Sequence, residues 1–298
     1  HQVRRPPHKA FTVLKQAKAN SGIAASGEII LEKMKEHKSN PGRPEELREY
    51  SMRYSWDHVA EEYLALFKDK QDWCMNPENA LNYIEHIETL KRNAVNITVR
   101  KGLEVDYFPG KEREIEAFLS GLDLDYRIGS VHYLGEMSVD NGPEYYEGKN
   151  LNIVFENYFN MVIDAVSSGL FDIIAHCDLV RIYGYKPEFD PEHLYVRLAR
   201  KMKEYDVSFE INTNGRNRPM ADFYPDRRFL HFFSEEKVPV CINSDAHMPS
   251  RVGQYFDEAY RLLKDNGFSE MAVFSARERK CPAGGVKAGI AATVEIER

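Results

Sequence analysis

Five short apolar runs in this chain each lead into a carboxylate or an imidazole, and segments of helical spacing separate most of them. The runs lead to Glu104, to His132, to His176, to Glu210 and Asn212, and to Asp245 and His247. Such alternation restricts a chain to a parallel α/β architecture, because neighbouring parallel strands need a crossover, usually a helix. A barrel suits the pattern best. In these folds the carboxyl ends of the strands collect ligands and catalytic groups. The stretch Val238-Pro-Val-Cys-Ile-Asn-Ser-Asp-Ala-His247 has the pattern in its shortest form: a buried-strand run, a polar break, then a carboxylate and an imidazole two apart. Taken alone, an Asp-x-His pair is equally a helix cap beside a surface histidine. Two further histidines and a glutamate at other strand ends are harder to explain by packing, since charged groups there are costly unless paired or bound to metal. Imidazole with carboxylate and no thiolate suits Zn²⁺, Mn²⁺ or Fe²⁺, and a glutamate can bridge two such ions to generate hydroxide at neutral pH.

The spacing predicts strands over 95–105, 126–132, 171–176, 208–212, 239–243 and 271–274. It predicts helices over 76–93, 111–120, 151–168, 191–205, 227–236 and 257–266, with a polar, tyrosine-rich loop over 137–150 suited to a lid. Ahead of these lie a basic arm over 1–20 and helical patterns over 27–38 and 45–69, broken by Asn40-Pro-Gly-Arg-Pro44. Residues 1–70 thus read as a helical N-terminal segment, 71–280 as the α/β body and 281–298 as a Gly/Ala-rich tail.

Charge and composition narrow the function. A formal charge of −7 and a charged content of 29% describe a soluble globular protein and argue against general nucleic-acid binding. No apolar run approaches the roughly 18 residues of a membrane span. Four scattered cysteines without a Cys-x-x-Cys pair, and no basic-then-apolar leader, lead us to expect a reduced, cytoplasmic chain.

The segments Gly102-Leu-Glu-Val-Asp-Tyr-Phe-Pro-Gly110, Gly129-Ser-Val-His-Tyr-Leu134, Gly169-Leu-Phe-Asp-Ile-Ile-Ala-His-Cys-Asp-Leu179, Glu210-Ile-Asn-Thr-Asn-Gly215 and Ser244-Asp-Ala-His247 resemble the motifs of the polymerase-and-histidinol-phosphatase (PHP) superfamily, in its histidinol-phosphatase branch, over about 72–280. The resemblance implies a distorted (β/α)7 TIM-like barrel with up to three divalent ions at the strand ends. It implies that Glu104 bridges the first two ions, that His132 and His176 hold the second, and that Asp245 holds the first and His247 the third. The family opens on a strand ending His-x-His, and its second strand commonly ends Asp-His. Neither is present here, which implies a barrel incomplete at its N-terminal β/α units, with only the Glu104, His132 and His176 set complete. The segment from Tyr54 to Phe67 instead resembles the C-terminal helix of two-domain (GT-B) glycosyltransferases, and His58 within it is expected to be a surface or packing residue.

The resemblance implies a metal-dependent phosphomonoester hydrolase, specifically an L-histidinol-phosphate phosphatase of histidine biosynthesis, with Asp245 and His247 also the catalytic pair. A degraded barrel with one ion or none, and a glycosyltransferase fragment, are the competing readings. A phosphate dianion calls for arginine or lysine. Arg216 and Arg218, after the fourth run, are the first candidates, and Arg181 and Lys186, after His176, the next. Each could equally be a solvated loop charge. Asp106 and Asp178, each two past a ligand candidate, are placed to orient a histidine.

Overall fold

The computed structural model describes residues 80–93, 98–247 and 249–281. The expected helices over 27–38 and 45–69, His58, and the tail past Cys281 lie outside the described residues. Among the described residues two compact units separate, one of 87–112 with 123–281 and one holding 80–86 and 113–122. The larger unit carries the sheet.

The elements run α1 (Ala80–Asn93), β1 (Gly102–Asp106), α2 (Glu112–Leu119), β2 (Tyr126–Ser130), the short pair β3 (Tyr133–Leu134) and β4 (Met137–Ser138), α3 (Leu151–Ser167), β5 (Ile173–Ile174), α4 (Glu192–Tyr205), β6 (Ser208–Asn212), α5 (Leu230–Glu235), β7 (Val240–Asn243), α6 (Phe256–Asp265), β8 (Val273–Ser275) and β9 (Glu278–Lys280). Five strands form one parallel sheet in the order β1-β2-β5-β6-β7. Each new strand lies beside the last, with no reversal of order, so every strand delivers its carboxyl end to the same edge.

The strands are buried on both faces, as parallel sheets require: every residue of β2, β6 and β7 is buried. Gly129 is glycine because a Cβ there would fall 2.4 Å from the Phe171 ring. Helix α3 starts where the Asn150 carboxamide accepts the N–H groups of Asn152 and Ile153 at 3.0 and 3.4 Å. Tyr158, Phe159 and Val162 of α3 are fully buried, and the Phe159 ring meets Tyr195 of α4 edge to face at 4.9 Å. Each such side chain contributes roughly 1.5–3 kcal/mol by leaving water.

The strand over 208–212 forms as the pattern predicts, and several others are shorter than predicted. Residues 95–97 of the run over 95–105 lie outside the described residues, and the described part is strand only from Gly102, whose ladder partner is Tyr126, the first residue of β2. The run over 171–176 stops at Ile174, since the backbone turns into the left-handed region at His176 (φ 22°). The strand expected over 271–274 does not join the sheet: β8 pairs antiparallel with β9 around Ala276 and Arg277, both at positive φ, 52° and 63°. The loop over 137–150 holds β4 and a 3-10 turn, Pro143–Tyr146.

A candidate metal centre at the strand ends

Glu104 lies in β1, His132 two residues past β2, and His176 two past β5. One ligand atom of each falls within 4.8 Å of the other two. Glu104 Oε1 stands 3.3 Å from His176 Nε2 and 3.9 Å from His132 Nε2. Ligands each about 2.1 Å from one ion lie at most about 4.2 Å apart, so this group is close to the spacing one divalent ion would impose. The donor set, two imidazoles and a carboxylate, is the one such ions prefer.

A carboxylate stands behind one of the histidines. Asp106 Oδ1 is 2.7 Å from His132 Nδ1 and accepts the Ser130 hydroxyl at 3.4 Å. This carboxylate–imidazole pair fixes the ring and leaves Nε2 directed to the ligand group, the usual setting of a metal-binding histidine. Asp178, the other carboxylate expected to orient a histidine, does something else. It is fully buried and accepts from Arg181 at 2.7 Å, the Tyr195 hydroxyl at 2.6 Å and the Asp226 N–H at 2.8 Å.

Glu210, Asn212 and Asn243 form a buried polar lattice beside the histidines. Glu210 Oε1 accepts the His176 N–H at 2.9 Å and the Asn212 amide at 2.8 Å, while Oε2 accepts the Asn243 amide. The Asn212 amide also reaches Asp245 Oδ2 at 3.2 Å, joined there by Asn214 at 3.3 Å. His247 Nδ1 lies 3.0 Å from the Asp245 carbonyl oxygen. Asp245 and His247 therefore belong to the same edge as the three-residue group, tied to it through Glu210. Like His176, Asp245 is left-handed, at φ 45°. Two of the five candidate ligands thus occupy a backbone region that side chains disfavour, a cost that surrounding structure must hold in place.

The charges respond to one another. Burial alone would lower the His176 pKa, but the hydrogen bond and charge of Glu104, with Glu210 and Asp245, lift it to about 10. His132 is raised likewise, burial being outweighed by Asp106 and Asp140. Burial pushes the Glu210 carboxyl up. At Asp245 burial acts the same way and is overcome by His247 and His176, which hold it below the ordinary range. The carboxylates thus favour the protonated forms of His176 and His132.

The candidate phosphate groups differ in what already engages them. Arg181 is committed: besides Asp178 its guanidinium meets Asp222 at 3.4 Å, Asp226 at 3.7 Å and the Phe223 carbonyl at 3.4 Å. Arg216 donates to the Ala221 carbonyl at 2.9 Å, pairs with Glu258 at 3.5 Å and lies over the Phe223 and Tyr255 rings. Lys186 is exposed. Arg218 is exposed, makes no side-chain hydrogen bond or ion pair among the described residues, and acts electrostatically on Tyr183 and Tyr224. The Tyr224 ring stands 6.0 Å from His176. The sequence singled out Glu210 and Asn212 as strand-end polar groups, but not Tyr224 or Asn214, which carry no signal beyond residue type.

Comparison with known proteins identifies the family and relatives of the chain. A family model described as the PHP domain matches residues 48–214, beginning inside the stretch whose spacing suggested a separate helical segment. The chain is 36% identical over 200 residues to a probable histidinol-phosphatase of Deinococcus radiodurans, covering 65% of this chain and 75% of that protein. It is 26% identical over 208 residues to a probable histidinol-phosphatase of Schizosaccharomyces pombe, covering 64% and 67%. Among solved structures, the histidinol phosphate phosphatase of Lactococcus lactis, complexed with zinc, L-histidinol and phosphate, superposes with a TM-score of 0.59 at 24% identity, over 70% of this chain and 81% of that one. That last likeness concerns the fold.

Proposed function

The chain belongs to the PHP domain family, and on that premise we propose that it is a metal-dependent phosphomonoester hydrolase that cleaves L-histidinol phosphate with water to L-histidinol and phosphate. The observation that carries this is the convergence of Glu104, His132 and His176 within 4.8 Å at the carboxyl edge of the sheet. We further infer that the five strands are part of a distorted (β/α)7 barrel, and that the enzyme works in the cytoplasm. None of the described helices is long and apolar enough to cross a membrane.

Glu104, His132 and His176 would hold one divalent ion, the second of the family's three, with Asp245 a ligand for the first and His247 for the third. Zinc is the first choice, manganese and iron the alternatives. When bound, such ions supply Lewis-acid charge for the phosphoryl oxygens and acidify water. The remaining work falls to the chain. Asp106 keeps His132 in one tautomer and one orientation. Glu210 holds the left-handed turn at His176 by its backbone N–H. Arg218, which pairs with no carboxylate among the described residues, would face the phosphate, where a guanidinium matches two oxygens. His247, its Nδ1 engaged by the Asp245 carbonyl, has only Nε2 left, so it would serve with Asp245 in proton transfer to the leaving alkoxide only where that nitrogen is not holding an ion.

A second reading, a barrel with a reduced metal set and little catalysis, follows from the ligand group itself, since among the described residues only Glu104, His132 and His176 gather as a group of three. One experiment separates the two. The purified chain is stripped, reloaded with zinc or manganese, and assayed for metal content and for phosphate release from L-histidinol phosphate. Two or more ions per chain with metal-dependent release support the phosphatase. One ion or none, with no release, supports the remnant.

A further inference from the structure

Gln254, two residues ahead of α6, bonds to the turn that follows β6 and to the turn that follows β7. Its Nε2 donates to the Ser244 carbonyl at 3.4 Å, and its Oε1 accepts the Asn217 amide at 3.0 Å. The same Asn217 nitrogen donates to Asn214 Oδ1 at 3.1 Å, and the Asn214 amide donates to Asp245 Oδ2 at 3.3 Å. The peptide bond between Ser244 and Asp245 closes these contacts into a ring. It runs from the carbonyl just before Asp245, through the carboxamides of Gln254, Asn217 and Asn214, back to the Asp245 side chain.

The ring has one sense. A carbonyl only accepts, so Gln254 must turn its nitrogen to Ser244 and its oxygen to Asn217. Asn217 then has to donate, and its own oxygen takes the Tyr255 hydroxyl at 3.3 Å. Asn214 receives at its oxygen and is left with its nitrogen toward the Asp245 carboxylate. Asn212 adds a second amide to the same Oδ2 at 3.2 Å and accepts the Asn214 N–H at 2.9 Å. Asp245 Oδ1 takes none of these amides and stands 3.6 Å from His247 Nδ1. The amide donors are neutral. They fix the direction of the carboxylate and leave its charge for an ion, as hydrogen bonds to a ligating carboxylate do. Fixing is needed here, because Asp245 occupies the left-handed region at φ 45°.

We propose that Gln254 is a positioning residue for Asp245. Through Asn217 and Asn214 it sets the direction of the carboxylate, and through the Ser244 carbonyl it holds the left-handed turn that presents Oδ1 to a metal ion. The inference rests on the metal-dependent reading and deepens it, by assigning a residue outside the ligand set. Thr213 supplies the contrast. Its hydroxyl donates to the Gln254 main-chain carbonyl at 2.8 Å, so it ties the same two segments without entering the ring.

The test measures zinc affinity by competition with a chelator, and the melting temperature of the metal-free protein, in wild type and variants. Asn214→Leu removes a direct partner of the ligand and should weaken zinc binding about 10-fold. Gln254→Leu acts one step further away, across the exposed Asn217, and should weaken it about 3- to 10-fold. The double variant should lose less than the product of the two losses, because both act on one ring. Gln254→Glu should lose at least as much as Gln254→Leu, since it sets a carboxylate against the Ser244 carbonyl. Thr213→Val should leave zinc affinity unchanged even where it lowers the melting temperature. Unchanged affinity in Gln254→Leu, or a fall that Thr213→Val matches, overturns the proposal. If wild type binds no zinc, or Asp245→Ala binds it as tightly as wild type, the metal reading of Asp245 fails. Hydrogen exchange of the side-chain amides in the metal-free chain, followed by NMR, then decides this one. Faster exchange at the Asn214 carboxamide in Gln254→Leu but not in Thr213→Val supports the positioning role, and equal rates overturn it.

Discussion

The two ends of the parallel sheet are both rich in carboxylates, and they balance them differently. At the amino end Asp125, Asp172 and Asp206 precede β2, β5 and β6. The Arg277 guanidinium grips Asp172 through two bonds of 2.9 and 3.2 Å, and Arg279 reaches Asp206 at 2.6 Å. Asp125 accepts the N–H groups of Lys101 and Ala276, each at 2.9 Å. The β8–β9 hairpin thus works as a clamp that carries its own cations. At the carboxyl end, Glu104, Glu210 and Asp245 meet no lysine or arginine among the described residues. Their partners are three imidazoles, three asparagine amides and a backbone N–H. One end is a closed electrostatic structure, while the other lacks fixed positive charge where an ion can supply it. Opposite charge built into the chain indicates architecture, and charge left to be supplied indicates a site.

The contrast is broken or upheld most sharply by one substitution at each end. His176→Ala should abolish bound metal and reduce phosphate release by more than about 100-fold, since a ligand is lost outright. The variant should stay folded by circular dichroism. Arg277→Ala should do the reverse. It should cost about 1–3 kcal/mol of stability through two charge-assisted bonds, read as a lower melting temperature, with metal content and kcat unchanged. Undiminished activity in His176→Ala would place the chemistry elsewhere. Lost metal in Arg277→Ala would mean that the two ends are not independent.

A smaller effect is expected one step behind the ligands. Asp106→Asn retains the shape but removes the charge that holds His132. Metal affinity, measured by competition with a chelator, should weaken about 10- to 100-fold. A variant that binds zinc as tightly as wild type would show that His132 needs no carboxylate behind it.

Much of this contrast is legible in the sequence, and the rest fails for identifiable reasons. The five strands announce themselves by apolar runs, and Glu104, His132 and His176 by standing at the ends of three of them. Asp106 is readable because residues two apart on a strand share a face, which puts it beside Glu104 near the neighbouring strand's histidine. The same count misplaces Asp178, because the chain leaves the strand at His176 and the alternation ends there. Arg181 looks available in sequence, since Asp178 is expected there to orient a histidine and the other aspartates that claim it, Asp222 and Asp226, are more than forty residues away. The clamp was missed for a local reason. A tight hairpin is expected where glycine or asparagine permits positive φ, and here Ala276 and Arg277 adopt it.

The smallest effect concerns pH, and it sets the two ends against each other in metal-free protein. Burial opposes ionisation of Asp125, but the N–H groups of Lys101 and Ala276 outweigh it and hold the carboxyl below its ordinary value. A depressed carboxyl stabilises the fold above its unfolded pKa and loses that contribution as pH falls through the folded one, so acid loosens the amino end. His176 has the opposite sign. Its pKa of about 10 in the folded chain lies above the ordinary 6.5, so its contribution is complete below about 6.5 and lost as pH climbs through about 10. The melting temperature of the metal-free chain should therefore decline toward both extremes. Zinc should abolish the alkaline decline, because binding replaces the imidazole proton and strengthens as that proton leaves. It should not touch the acid decline at Asp125. A metal-free melting curve flat from about pH 7 to 10, or zinc protection equal at both extremes, would mean that His176 does not balance the carboxylates at the carboxyl end.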